Sequence, residues 1–194
     1  GESVDLEVVV EYGAPPYEYD WTGVAGNDAV VTITPTETSW YYVTVIDNCE
    51  IEATDSVLVK VFPAPQVDLG GDTALCIEST PLTLNAGGGY NVYSWEDGST
   101  EPIHFAFETG LYHVTVVDQN GCEGYDDIFV QVSDPNVDLG GDGYLCEGDS
   151  LTLDAGEGYS YFWNTGTTSR FYTVTTGGTY AVWITDSIGC QDSA

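Results

Sequence analysis

Tyr112-His113-Val114-Thr115-Val116-Val117-Asp118-Gln119-Asn120-Gly121-Cys122 is the stretch that decides the fold. Apolar side chains at 112, 114 and 116 alternate with more polar ones, the period of a strand with one face buried. The Asp-Gln-Asn-Gly run that follows is turn chemistry, because short polar side chains bond their own backbone and glycine accepts a left-handed conformation. The pattern returns as Tyr180-x-Val182-x-Ile184-x-Asp186 running to Gly189-Cys190, and as Tyr41-x-Val43-x-Val45-x-Asp47 running to Cys49. Upstream of each lies a Tyr-x-Trp step: Tyr19-Asp20-Trp21, Tyr93-Ser94-Trp95 and Tyr161-Phe162-Trp163. Farther upstream, Val67-Asp68-Leu69-Gly70-Gly71-Asp72 with Leu75-Cys76 is repeated as Val137-Asp138-Leu139-Gly140-Gly141-Asp142 with Leu145-Cys146. A whole block recurring at roughly 70 residues marks a tandem array of small domains and not one enzyme-sized core.

The expected domains are residues 1–62, 67–133 and 137–194. Aligning Gly1-Glu2-Ser3 on Gly148-Asp149-Ser150 leaves the first repeat without its first strand and places its first cysteine upstream of Gly1. The second repeat continues through Ile128-x-Val130-x-Val132, whereas the third stops at Ala194, so its last strand is expected to be missing. The chain therefore reads as an excerpt of a longer protein. Cys49 is unpaired on this reading; the alternative is that it is a small buried hydrophobe in a repeat that never carried the first cysteine.

Short alternating runs such as Leu82-x-Leu84, Ile103-x-Phe105 and Leu151-x-Leu153, punctuated by glycine-rich turns, predict an all-β fold of sheets packed face to face. So many strands in 70 residues leave no room for crossover helices, which predicts antiparallel pairing throughout. Trp21, Trp95 and Trp163 occupy the same place in each repeat and are expected in the core, ligand stacking being the alternative. Tyr17, Tyr42, Tyr90, Tyr159 and Trp183 are the candidates for exposure. Phe62-Pro63-Ala64-Pro65-Gln66 and Ser133-Asp134-Pro135-Asn136 are short, proline-restricted connections, which predicts a semi-rigid rod.

Two repeats each hold a cysteine pair, and the expected bridges are Cys76 to Cys122 and Cys146 to Cys190. Closing such a loop is worth roughly 4 kcal/mol on the chain-entropy model. Domains this small have little core to spare, and disulfides place the chain outside the reducing cytosol. Zinc is the competing use of cysteine, but no Cys-x-x-Cys occurs.

With 32 acidic residues against Lys60 and Arg170, the formal charge is −30. That excludes nucleic acid and anionic membrane as partners, and no apolar run is long enough to insert in a bilayer. Asp68, Asp72, Asp118, Asp134, Asp138 and Asp142 gather near turns and joints, where they are either calcium ligands or simple turn caps. His104 and His113 are the only histidines and have no counterparts in the other repeats, so no catalytic constellation is legible and the chain is expected not to be an enzyme.

The blocks Val-Asp-Leu-Gly-Gly-Asp-x-x-Leu-Cys (67–76, 137–146), Leu151-Thr152-Leu153-Asp154-Ala155-Gly156 and Gly177-Gly178-Thr179-Tyr180-Ala181-Val182-Trp183 resemble the Ig-like or PKD-like repeats of very long secreted Bacteroidetes proteins. Gly13-Ala14-Pro15-Pro16-Tyr17-Glu18-Tyr19-Asp20-Trp21 is similar to a stretch in repeats of SprB-like gliding-motility adhesins. Trp95-Glu96-Asp97-Gly98 is only a remnant of the PKD core motif, which favours the broader Ig-like label. The resemblance implies tandem Ig-like sandwiches, export by the type IX secretion system, and a non-catalytic role at the cell surface as adhesin, stalk or filament. Implied partners are other repeats of the same chain, surface glycans or other surface ligands, or copies of the chain itself in a fibre.

Overall fold

The computed structural model describes residues 2–194. The chain divides into two compact units, Gly1–Ala64 and Pro65–Ala194.

In the first unit, β1 (Val4–Glu7) pairs with β3 (Val30–Ile33), while β2 (Glu18–Trp21), β4 (Ser39–Ile46) and β5 (Glu52–Val59) form a second sheet in the order β2-β4-β5. The facing sides meet in a cluster of Leu6, Trp21, Val31, Ile33, Val43 and Val45. Alternation explains the selection: Val43 and Val45 point inward from β4, while Tyr42, just ahead of them on the opposite parity, is 51 % exposed.

The second unit holds two such sandwiches in series. Its first part contains β6 (Thr73–Cys76), β7 (Leu82–Asn85), β8 (Val92–Trp95), β9 (Ile103–Ala106), β10 (Gly110–Val117) and β11 (Glu123–Ser133). Strands β7 and β9 form one sheet and β6-β11-β10-β8 the other, closing over Leu84, Trp95, Val114, Val116, Ile128 and Val130. Its second part contains β12 (Leu151–Asp154), β13 (Ser160–Trp163), β14 (Phe171–Val174), β15 (Val182–Thr185) and β16 (Gln191–Ser193), in sheets β12-β14 and β13-β15-β16. Val137, Ala155, Trp163, Val182 and Ile184 are buried there. The structure is thus an all-β series of Ig-like sandwiches.

One pairing departs from the all-antiparallel expectation: β6 runs parallel to β11, with Thr73 opposite Val130 and Cys76 opposite Ser133. A parallel pair needs a long connection, and here every other strand of the sandwich lies between the two, so no crossover helix is required. The segment ahead of β6 continues along the same edge. Leu69 donates its backbone N–H to Asp126 Oδ2 at 2.7 Å, and the Phe129 N–H reaches Asp72 Oδ1 at 2.8 Å. The approach is so close that a Cβ on Gly124 would stand 2.3 Å from the Pro65 carbonyl oxygen. In the third repeat the Val137 N–H donates to Asp192 Oδ2 at 2.7 Å, a carboxylate contact of the same kind made two residues earlier along both segments.

The three Tyr-x-Trp indoles are buried alike. Trp21, Trp95 and Trp163 are each at most 5 % exposed, and each indole N–H donates to a backbone carbonyl, those of Asp28, Glu101 and Ser169 respectively. Trp183 lies on the solvent side of β15, tilted against its cross-strand neighbour Phe162 at 6.1 Å. Truncating Trp163 to Ala is expected to cost roughly 3–5 kcal/mol of unfolding free energy. The same change at half-exposed Trp183 should cost under about 1 kcal/mol. Denaturant titration of the two variants checks the contrast.

Candidate functional site: a disulfide-tied junction

Each repeat ends its Tyr-x-Val strand on an aspartate that organises the turn carrying a cysteine. Asp47 Oδ1 accepts the backbone N–H groups of Cys49 (2.8 Å) and Ile51 (3.0 Å). Asp118 Oδ1 accepts those of Asn120 (2.7 Å) and Cys122 (2.9 Å). Asp186 Oδ1 accepts those of Ile188, Gly189 and Cys190 at 2.8–2.9 Å. A carboxylate satisfying two or three amides in this way holds the cysteine in place and is itself kept ionised.

The second oxygen distinguishes the three turns. Asp47 Oδ2 accepts the Ala14 N–H at 3.1 Å, and Asp118 Oδ2 accepts the Asn120 side-chain amide at 3.1 Å, both within their own repeat. Asp186 Oδ2 instead accepts from the hydroxyl of Ser133, the last residue of β11, so the third repeat's turn sits against the end of the second repeat's sheet. The Ser133 hydroxyl is the largest influence holding the Asp186 carboxyl below the usual range, and the Cys190, Gly189 and Ile188 amides add to it against the effect of burial. At Asp47 the Ile51 and Ala14 amides have the same effect. At Asp118 burial pushes upward, but the Cys122, Asn120 and Gly121 bonds together outweigh it and lower the value.

The disulfide follows from this contact and corrects the expected pairing. Cys76 is bonded to Cys190, with Cα atoms 5.4 Å apart; neither a Cys76–Cys122 nor a Cys146–Cys190 bridge is present. Strand direction is the reason. Cys76 lies level with Ser133, while Cys122 immediately precedes the other end of the 11-residue β11. The length of that strand, about 35 Å, separates the two, several times the reach of a disulfide. Cys190, held by the Asp186 turn against Ser133, is the thiol that Cys76 meets. Cys49 and Cys146 are exposed thiols outside any disulfide.

The aspartates considered for calcium are not assembled into a ligand set. Asp68 and Asp138 each accept the N–H two residues on, from Gly70 and Gly140, and Asp72 and Asp118 cap the amides already described. Asp134 and Asp142 join no such cluster, and among the described residues no group of three or more His, Cys, Asp or Glu is placed to hold a metal ion.

His104 is the residue that sequence reasoning undervalued. Its ring stacks on Trp95 with centroids 4.8 Å apart, and Nδ1 lies 3.2 Å from Ser99 Oγ. The carboxylates of Glu96 and Asp97 stand 3.9 Å from its two nitrogens, beyond hydrogen-bond range, so the serine, imidazole and acid do not close into a relay. Only the three-dimensional fold brings residues 96, 97, 99 and 104 around one ring; no spacing motif announces it. His113 is on the solvent side of β10 with its side chain 53 % exposed.

No family model matches the chain, and no curated protein matches it. Among solved structures, it is similar to the N-terminal eight Ig domains of Down Syndrome Cell Adhesion Molecule at 16 % identity, covering 100 % of this chain and 34 % of that one, with a TM-score of 0.44. It is similar to a chain of the complex of Dpr2 Ig1-Ig2 with DIP-Theta Ig1-Ig3 at 12 % identity, covering 99 % and 92 %, with a TM-score of 0.39. The human Desmocollin-1 ectodomain is matched at 11 % identity over 92 % of this chain and 50 % of that one, with a TM-score of 0.33.

Two outcomes are expected at the junction. Replacing Cys76 and Cys190 together by Ser should lower the unfolding free energy of the second unit by up to about 5 kcal/mol, the chain-entropy value for a loop of this length, as read by urea titration. Asp186 has a depressed carboxyl, so its contribution is present above the ordinary carboxylate value near 3.9 and is lost as pH falls through its folded-state value. Asp186→Ala should therefore melt below the parent at neutral pH, and the gap should shrink on acidification below about pH 3.9.

Proposed function

We propose that the chain is a non-catalytic structural segment of a long extracellular surface adhesin or stalk, in which residues 1–62, 67–133 and 137–194 are successive repeats. The observation that carries this reading is the Cys76–Cys190 bridge, which spans two repeats where the expected bridges would each have closed one. Tension entering before Cys76 and leaving after Cys190 passes through a covalent bond and bypasses both hydrophobic cores. That arrangement suits an element that must transmit load, and disulfides of this kind persist only in oxidising surroundings.

The rest of the surface supports the same reading. A net charge of −30 disfavours polyanionic partners and keeps copies apart at low ionic strength. No helix among the described residues is long and apolar enough to cross a membrane. The exposed Phe162–Trp183 pair is tilted by 42° and does not form the flat aromatic platform on which a sugar ring stacks, so surface ligands are assigned to loops or to other parts of a longer protein. Secretion by the type IX route and a place in a gliding-motility adhesin rest on the sequence resemblance alone.

Single-molecule stretching of the chain tests the load-bearing role. With the bridge intact, the loop closed by Cys76 and Cys190, a sequence separation of 114, should contribute no unfolding step. Reductant should release about 400 Å of additional contour length. Full extension of the second and third repeats without reductant would contradict the proposal.

A further inference from the structure

Strand β9, in the middle of the second repeat, has one free edge. It pairs with β7 on one side, and among the described residues no strand lies on the other. Bonded and non-bonded positions alternate along an antiparallel pair, and the Ala86 N–H donating to the Pro102 carbonyl at 2.9 Å fixes their phase. His104 therefore turns its backbone toward Leu84, while the N–H and C=O groups of Ile103 and Phe105 face away from β7. A cleft of about 550 Å³ runs along this edge, bordered by the turn after β8 and by the start of β10. Half-exposed Phe105 and Phe107 line it together with Tyr112 and His104, whose ring is stacked on buried Trp95. Four carboxylates also border the cleft, those of Glu96, Asp97, Glu101 and Glu108, and among the described residues none of them meets a lysine or arginine.

We infer that this cleft takes an extended, arginine-bearing segment of a basic partner protein, added as a strand to the free edge of β9. The third repeat shows how the same surface treats a cation. Arg170 stands where Pro102 stands in the second repeat, its carbonyl accepting the Ala155 N–H as that of Pro102 accepts the Ala86 N–H. Its guanidinium lies 4.8 Å from the centre of the Phe171 ring, binds Asp154 through two nitrogens at 2.6 and 2.8 Å, and reaches Glu157 at 3.3 Å. The second repeat keeps the aromatic and acidic parts of that arrangement but has proline in place of the base. Its outward ring is Phe105, two residues along from Ile103, the register equivalent of Phe171. An added strand satisfies the Ile103 and Phe105 amides and carbonyls, and arginines at every second position can lay planar guanidiniums on the phenylalanines beside Glu101 and Glu108. A second copy of this chain is a poor occupant, because it brings two strong bases against 32 acidic residues. The inference is independent of load transmission, since every residue of the cleft belongs to one repeat.

The experiment uses the intact 194-residue chain and a synthetic peptide of about ten residues that alternates arginine with threonine. At physiological salt, saturable binding is expected, with at least tenfold slower amide exchange at Ile103 and Phe105 and no comparable change on β11. A peptide of the same charge with methylated backbone nitrogens cannot pair with a strand edge and should bind at least tenfold more weakly. The lysine counterpart, which lacks the planar fork, should bind at least threefold more weakly. On the protein side, Phe105→Ser and the pair Glu101→Gln with Glu108→Gln should each weaken binding at least fivefold. Removing the same charge from exposed positions of the first repeat, by Glu2→Gln with Glu37→Gln, should change it less than twofold. Melting temperatures report separately whether each variant still folds. No saturable binding at millimolar peptide, equal affinity for the methylated or lysine peptide, protection spread evenly over the three repeats, or equal losses in the two charge-removed variants would reduce the effect to general attraction by net charge and overturn the inference.

Discussion

The parallel course of residues 65–76 along β11 is the constraint on which the arrangement of the second unit depends. An antiparallel hairpin partner would bring Cys76 back beside Cys122, whereas a parallel one carries it to the far end of the sheet, level with Ser133. Everything at the junction follows from that direction. The chain leaves β11 at Ser133, the third repeat's Asp186 turn packs on the Ser133 hydroxyl, and Cys190 arrives within bonding distance of Cys76. Gly124 is part of the same constraint, since any side chain there would collide with the Pro65 backbone.

Much of the sandwich was legible because period-two alternation is a local property. The residues of β4, β10 and β15 alternate in sequence as they do in burial, and Trp183 and Tyr42 fall on the outward parity. The cysteine pairing was not legible, for a physical reason. The similar spacing of Cys76–Cys122 and Cys146–Cys190 reports the repeat period, and the period is satisfied equally well by bridges within repeats or between them. Only strand direction separates the two, and no alternation pattern encodes whether a first strand joins its sheet parallel or antiparallel. The environment of His104 was hidden for a similar reason: Trp95, Ser99 and His104 converge through a turn and a sheet-to-sheet crossing. The aspartates were ambiguous as metal ligands because turn capping calls for the same residue at the same positions.

A coherent physical picture joins these elements. Each sandwich is small, with a core of one buried indole and a handful of β-branched residues, and alone would be marginal. The bridge adds stability by restricting the unfolded chain across two repeats at once, which couples their unfolding. The carboxylates that give the chain its charge also do structural work, since Asp47, Asp118 and Asp186 each hold a cysteine-bearing turn through backbone amides. Of the two strong bases, Arg170 is committed to a bidentate contact with Asp154, which leaves the surface overwhelmingly negative.

The most direct test is to cut the chain once between the second and third repeats, at a protease site introduced within residues 134–136, and to separate the products with and without reductant. The two pieces should remain joined in non-reducing conditions and part only when the disulfide is reduced. Pieces that separate without reductant would mean that each repeat closes its own bridge, and the junction described here would not exist.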